Sequence, residues 1–362
     1  MIVKDESKVI ERCLNSVKPL IDYWVIVDTG SLDETQSLIH KTMKGIPGEL
    51  HQKPWKNFEV NRNEALELAR GKGDYLLFID ADEVLSYEKG FHFPHLEHDF
   101  YMFTVKNEIN GAIVSEYTRT LLVNHHLDWR WKGVIHEYIE CPKATSSALM
   151  TGVCDISRTY EGARGQDPQK YQKDAAVLEK ALEKEPNHSR YTYYLAVSYY
   201  NAGDLQKALS AFQKRIALDP QKLYSDEVYT SLYFIGCIQV DLHADLKTVV
   251  DSFSRAHLYA PTRAEPLYQL GSYLIEQNAL LLADLVLQKA LQMKSSAPFS
   301  DSSYIISWIY DWGILHRSAE CAFKLGRFSE AKEALKELIT LPLPPDLLQA
   351  MKENLDKLPR IT

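Results

Sequence analysis

The chain has 362 residues, 45% of them hydrophobic and 25% charged, with a formal net charge of -8. That length suggests about two domains, and the acidic balance argues against a general nucleic-acid binder. No apolar run approaches the ~18 residues of a membrane span, and Lys4, Asp5 and Glu6 interrupt any secretory signal. Cys13, Cys141, Cys154, Cys237 and Cys321 are scattered without Cys-x-x-Cys spacing. This usage suggests reduced thiols in a cytosolic protein rather than a zinc site.

Strand and helix patterns alternate in the first half. Met1 to Val3 reads as a short strand with almost no lead-in, so a few further residues are expected upstream. Ser7 to Val17 sets Val9, Ile10, Cys13, Leu14 and Val17 at helical spacing. Trp24 to Val27 reads as a buried strand ending in Asp28. Asp28-Thr29-Gly30-Ser31 then makes a tight strand-to-helix turn suited to a nucleotide base or ribose. Ser31 and Glu34 predict a capping box. Leu50 marks a short third strand, and Glu59 to Ala69 an amphipathic helix. A Gly71-Lys72-Gly73 turn leads into Leu76-Leu77-Phe78-Ile79, closed by Asp80-Ala81-Asp82. The βαβαβαβ order implies a parallel sheet with right-handed crossovers. Asp28 and Asp80 then lie along the carboxyl edge, where such sheets bind ligands.

Two carboxylates one residue apart repel each other unless a cation sits beside them. A hard divalent metal at Asp80 and Asp82 implies a phosphate-bearing substrate. An isolated Asp-x-Asp is often only a turn or a cap, but the apolar strand before it favours a site. Tyr101 to Val105 and Thr118 to Val123 read as strands of a mixed or antiparallel extension. Leu127 to Glu137 then concentrates Trp129, Arg130, Trp131, Lys132, His136 and Glu137. Tryptophan stacks on sugar or base faces. His136 offers a third metal ligand and Glu137 a general base, the alternative being an ordinary polar strand end.

From about residue 168 the pattern is helical and repeats. Leu195, Ala196, Tyr199, Gly203, Ala208, Phe212 and Pro220 match the tetratricopeptide pattern, whose period is about 34 residues. A partial unit precedes it at Leu178, Ala181 and Pro186. Others follow at Phe253, Ala256 and Pro261, at Leu270, Gly271, Ala283, Leu287 and Ala290, and at Gly326, Ala331 and Leu335. Insertions are expected near 221–227 and 295–308. Each helix pair must stack on the next to bury its apolar face. Tyr191, Tyr193, Tyr194, Tyr199 and Tyr200 read as inter-helix packing, with some rings left to face a partner. Gly162-Ala163-Arg164-Gly165 reads as a linker, which divides the chain into domains 1–160 and 161–362.

The first half resembles the family 2 glycosyltransferases of the GT-A fold. The resemblance is carried by Met1-Ile2-Val3-Lys4-Asp5-Glu6, Val27 to Thr35, Arg62-Asn63-Glu64-Ala65 and Asp80-Ala81-Asp82-Glu83, over residues 1 to about 140. Trp131 to Glu137 looks like the branch with lipopolysaccharide-core glucosyltransferases. The fused repeats look like bacterial glycosyltransferases with tetratricopeptide tails, including those that glycosylate peptide cysteines. The fold so implied is an α/β GT-A domain, Rossmann-like with a mostly parallel sheet, followed by an all-α tetratricopeptide-repeat solenoid.

The activity so implied is inverting transfer of a sugar from a nucleotide-sugar, a UDP-sugar first, to a glycan, lipid-linked or peptide acceptor. Mg²⁺ or Mn²⁺ would be the cofactor. On that pattern Asp28 binds uracil and ribose, and Glu6, Arg62 and Asn63 face the nucleotide or its sugar. Asp80 touches ribose or metal, Asp82 holds the metal on the diphosphate, and His136 completes the metal shell. Repeat-tailed relatives carry a histidine before the linker. Asp155-Ile156-Ser157-Arg158-Thr159-Tyr160 has none, which leaves His136 or water to serve. Glu137 is the candidate base and Glu116 the alternative. The repeats would bind acceptor, a protein partner or a second copy. A cytoplasmic location is expected, or a peripheral one at the inner membrane face. The competing reading is a repeat-based interaction scaffold with a vestigial catalytic half. A nucleotidyltransferase ranks last, because Lys4-Asp5-Glu6-Ser7 lacks the glycine-rich loop of that class.

Overall fold

The first elements are β1 (Ile2–Val3), α1 (Ile10–Val17), β2 (Trp24–Asp28), α2 (Thr35–Thr42), β3 (Gly48–Gln52) and α3 (Phe58–Ala69). This computed structural model describes residues 1–109, 111–158, 160–218, 225–293 and 305–357. Strands β1, β2 and β3 form a parallel sheet in that order. Helix α1 buries Ile10, Cys13, Leu14 and Val17, the face its spacing defines. Ile10 and Leu14 pack with Trp24, Ile26 and Ile39 over the sheet. Trp24 lies on Gly48, where a Cβ would come within 2.3 Å of its ring. The expected capping box is absent. Ser31 Oγ accepts the Asp5 N–H at 2.9 Å, and Asp33 Oδ1 accepts the Thr35 N–H at 3.0 Å where α2 begins.

The next elements are β4 (Tyr75–Leu77), β5 (Glu83–Tyr87), β6 (Phe100–Ile109), β7 (Ala112–Asn124), β8 (Arg130–Lys132), β9 (Tyr138–Glu140), β10 (Ser147–Ser157) and α4 (Lys170–Lys184). A second sheet has the order β4-β7-β6-β10-β5, and β8 pairs with β9 alone. In the five-stranded sheet β6 and β10 run parallel, while β4·β7, β6·β7 and β10·β5 are antiparallel. The α/β class therefore holds, but the sheet is mixed rather than mostly parallel. Past Asp82 the chain folds back through direct strand pairing, out to Ile109 opposite Ala112, and uses no crossover helix.

Strands β1 and β4 are not hydrogen-bonded to each other, so the expected single sheet is split. Strand β1 pairs only with Val27 and Asp28 of β2. Beside the remaining Trp24–Ile26 lies a cavity of about 610 Å³, walled on its other side by Leu76 to Ile79.

The chain divides into two units, Met1–Pro186 and Asn187–Thr362. Helix α4, counted with the repeats by sequence, falls in the first unit.

The second unit is helical. It contains α5 (Ser189–Asn201), α6 (Leu205–Leu218), α7 (Asp226–Asp241), α8 (Leu246–Tyr259), α9 (Glu265–Glu276) and α10 (Leu280–Leu291). A π-turn at Ile309–Gly313 leads to α11 (Ile314–Lys324), α12 (Phe328–Leu338) and α13 (Pro345–Lys357). Four helix pairs turn over left-handed residues at equivalent places: Gly203, His243, Asn278 and Gly326, with φ of 83°, 55°, 58° and 76°. Each turn carries the same two backbone bonds. The Gly203 N–H reaches Tyr200 O and the Asp204 N–H reaches Tyr199 O, and the other three turns repeat this. This is the Schellman closure that satisfies the last helical carbonyls. Within pairs, Gly236 faces Phe253 and Gly271 faces Leu287, each with room for no Cβ (2.6 Å in both). The expected insertions near 221–227 and 295–308 fall largely outside the described residues.

Candidate active site at the strand ends

Strand β2 delivers Asp28 to the start of the turn that precedes α2. Its Oδ1 accepts the N–H groups of Gly30 and Ser31, both at 2.8 Å. Its Oδ2 is buried and has no hydrogen-bond partner. One oxygen shapes the turn and the other is left for a donor, since a buried acceptor without one is costly. The β1–α1 loop is tied to the same turn. Asp5 Oδ1 accepts the Leu32 N–H at 2.7 Å, the Glu6 N–H donates to Thr35 Oγ1 at 2.8 Å, and the Ser7 N–H donates to Asp33 Oδ2 at 3.1 Å. Burial pushes the Asp33 carboxyl up, but the bonds from Ser7 and Thr35 outweigh it and hold it at about 2.

The segment after β4 carries Asp80 and Asp82, and the two are treated differently. The Arg62 guanidinium from α3 holds both oxygens of Asp80, at 2.8 and 3.0 Å. Arg119 of β7 stands 3.7 Å away. Burial alone would raise the Asp80 carboxyl, but these two cations lower it. Asp82 has no such partner. Burial first, then Asp80 and Glu83, push it up to about 6. Glu6 is pushed up to about 7, by burial first and by Asp82, Asp80 and Asp33, against one N–H bond from Ala163. Glu6 and Asp82 are thus two partly buried carboxyls close enough to repel, opposed by Lys170 at Asp82 and the Ala163 N–H at Glu6, a setting that a divalent cation relieves.

Arg62 also pairs with Glu137 and lies over the Trp131 ring at 4.8 Å. Arg119 goes on to Glu83 at 2.5 Å and Asp155 at 3.1 Å, so a chain of alternating charge runs from Glu137 to Asp155. Sequence reasoning missed Arg119. Its only signal was a lone arginine in an apolar strand, with partners far away in the sequence.

The remaining expected residues sort clearly. Both ends of the Asn63 amide are taken by the Trp131 backbone: Nδ2 donates to its carbonyl and Oδ1 accepts its N–H, each at 2.9 Å. Asn63 therefore anchors β8 to α3 and is not turned to a nucleotide. Glu116 is also corrected. It pairs with Lys106 at 3.5 Å and lies three residues from Arg119 on an unbroken stretch of ladder, which puts it on the opposite face of the sheet. His136 is half-buried and holds a left-handed φ of 52°. It does not join Asp80 and Asp82 in a three-donor cluster. Among the described residues the one such group is Asp74, His125 and His126.

The stretch read as a linker lies on the site. The Arg158 N–H donates to the Asp82 carbonyl at 3.2 Å, and the Ala163 N–H donates to Glu6 Oε2 at 3.1 Å. A Cβ on Gly162 would lie 2.9 Å from Asp82 Oδ2. The glycine is there for close approach rather than for flexibility.

Residues 1–90 match the family model described as glycosyl transferase family 2, and residues 170–222 match a tetratricopeptide repeat model. The chain therefore carries a stretch similar to family 2 glycosyl transferases, followed by a stretch similar to tetratricopeptide repeats. It is 32% identical over 143 residues to a TPR repeat-containing protein of Synechococcus elongatus, covering 39% of this chain and 34% of that one. It is 23% identical over 227 residues to the SPbeta prophage-derived glycosyltransferase SunS of Bacillus subtilis, covering 60% and 52%. It is 30% identical over 160 residues to an uncharacterized glycosyltransferase of Rickettsia bellii, covering 44% and 49%. The chain thus spans a third to about half of the length of these relatives.

Proposed function

We propose that this protein transfers a sugar, with inversion, from a nucleotide-sugar to a glycan, lipid-linked or peptide acceptor, and that the reaction depends on Mg²⁺ or Mn²⁺. The observation that carries the reading is the pairing of two unmet needs at one edge. Asp28 has a buried oxygen without a donor, and Asp82 and Glu6 are carboxyls that burial and carboxylate repulsion raise against Lys170 and the Ala163 N–H. A nucleoside diphosphate with its cation would meet both. A uracil imide N–H is a donor that suits Asp28, so a UDP-sugar is the substrate named first, with a TDP-sugar, whose thymine carries the same imide, as the alternative the test separates.

Asp82 and Glu6 fit a hard cation whose other positions come from water and diphosphate oxygens. Such a cation, when bound, neutralises charge developing on the leaving diphosphate. Asp80, balanced by Arg62, is better placed to accept from a ribose hydroxyl than to ligate. The acceptor must approach the anomeric carbon opposite the diphosphate. Glu137 is the base in this reading, since Glu116 faces away. Arg62 keeps Asp80 as a partner when Glu137 takes up a proton, so the guanidinium is not left unpaired.

The test is a panel of UDP-, GDP- and TDP-sugars scored for hydrolysis with and without Mn²⁺. The expected result is metal-dependent turnover of a UDP-sugar, lost in Asp28→Ala. Metal-independent turnover, or turnover indifferent to Asp28, would overturn the reading.

A further inference from the structure

Asp74, His125 and His126 lie at the end of β4 away from Asp80. Asp74 immediately precedes the strand, and the two histidines immediately follow β7, its partner. The ladder fixes their backbones. Tyr75 is in register with Asn124, the His125 N–H donates to the Asp74 carbonyl at 3.1 Å, and the His126 N–H donates to Asn124 Oδ1 at 2.9 Å.

The side chains converge from there. The two imidazole centroids are 3.7 Å apart. One ligand atom from each histidine and one Asp74 carboxylate oxygen all lie within 4.8 Å of one another. Ligand atoms around a zinc-like ion with bonds of ~2.1 Å are roughly 3.4 Å apart, so small side-chain rotations close the set. His125 Nδ1 is 3.1 Å from the Asp74 carbonyl. A carbonyl only accepts, so Nδ1 carries the proton and Nε2 keeps its lone pair for a metal. Asp74 and His126 are exposed, which leaves further coordination positions to water.

We infer that Asp74, His125 and His126 form a second metal site, which takes one borderline divalent cation of the Zn²⁺, Co²⁺ or Ni²⁺ kind. Two imidazoles and a carboxylate select such ions over Mg²⁺. The site is independent of the transferase reading. It sits at the opposite end of β4 and shares no residue with the Asp82 edge. Bound metal would tie the start of β4 to the end of β7, and binding to the folded state alone would stabilise the protein.

The experiment titrates Co²⁺ into the EDTA-stripped full chain, followed by its visible absorption, and reads the shift in melting temperature with Zn²⁺. One equivalent should bind in the presence of excess Mg²⁺, which competes at the Asp82 edge. The affinity should fall by roughly tenfold or more in His126→Ala and in Asp74→Asn, and stay unchanged in Asp82→Asn. Excess Mg²⁺ should not displace the Co²⁺, and Zn²⁺ should raise the melting temperature of wild type but not of His126→Ala. No Co²⁺ binding by wild type, equal binding by His126→Ala, or loss of binding in Asp82→Asn would overturn the assignment.

Discussion

The Arg62 guanidinium holds both carboxylate oxygens of Asp80, at 2.8 and 3.0 Å, while also pairing with Glu137. Its side chain is only 12% exposed. Removing one member of a buried ion pair leaves an uncompensated charge and costs about 3 kcal/mol or more. Arg62→Ala should therefore lower the unfolding free energy by roughly 3 kcal/mol in urea titrations. A change under about 1 kcal/mol, the range of exposed pairs, would show that this pair is effectively solvated.

The Glu6 carboxyl sits at about 7 in the folded chain against an ordinary 4.5. A carboxyl raised by folding binds its proton more tightly in the folded state. Its stabilising effect is complete below about 4.5 and is lost as the pH rises through about 7. Metal-free protein should therefore lose stability from this group across that window. Glu6→Gln should flatten the loss, read as melting temperature against pH in EDTA. An unchanged profile in Glu6→Gln would remove Glu6 as its source.

Gly162→Ala places a methyl 2.9 Å from Asp82 Oδ2 and 3.1 Å from its Cβ. The far end of the side chain cannot absorb both contacts, so the backbone at Gly162 must shift. The expected cost is about 1–3 kcal/mol, as for other overpacked sites, together with weaker Mn²⁺-dependent UDP binding by calorimetry. Wild-type stability and binding would mean that the segment lifts off freely.

His243 holds a left-handed φ of 55° at an exposed turn where the equivalent residues are Gly203 and Gly326. Left-handed backbone costs an L-residue ~1–2 kcal/mol, and glycine gives back part of this through its freer unfolded chain. His243→Gly should stabilise by about 0.5–1 kcal/mol, measured by denaturant midpoint. A loss of stability would show that the imidazole contributes more than the turn strain removes.

Local patterns carried much of this arrangement. The apolar runs before Asp28 and Asp80 announced two strands, of which β2 ends in its carboxylate while β4 stops at Leu77, short of Asp80. The spacing of Ile10, Cys13, Leu14 and Val17 announced α1, and the repeat glycines marked turns that recur at His243 and Asn278. What failed to show depended on register or distant partners. Glu116 looked like a base until the β6–β7 ladder turned it to the other face. Asn63 sits inside the Arg62-Asn63-Glu64-Ala65 motif that carried the resemblance, yet its amide is spent on Trp131. Gly162 and Gly165 read as a linker because a glycine needed for close packing and one needed for flexibility look alike in sequence. The His125-His126 doublet was visible but mute, since its third ligand, Asp74, reaches it only through β4–β7 pairing.

The central claim is that Asp82 and Asp28 together hold a metal-bound nucleoside diphosphate. Calorimetry of UDP with and without Mn²⁺, on wild type and Asp82→Asn, tests it most directly. The account predicts binding that strengthens with Mn²⁺ in wild type and loses that Mn²⁺ dependence in Asp82→Asn. UDP binding equally tight without Mn²⁺, or equally Mn²⁺-dependent in Asp82→Asn, would contradict it.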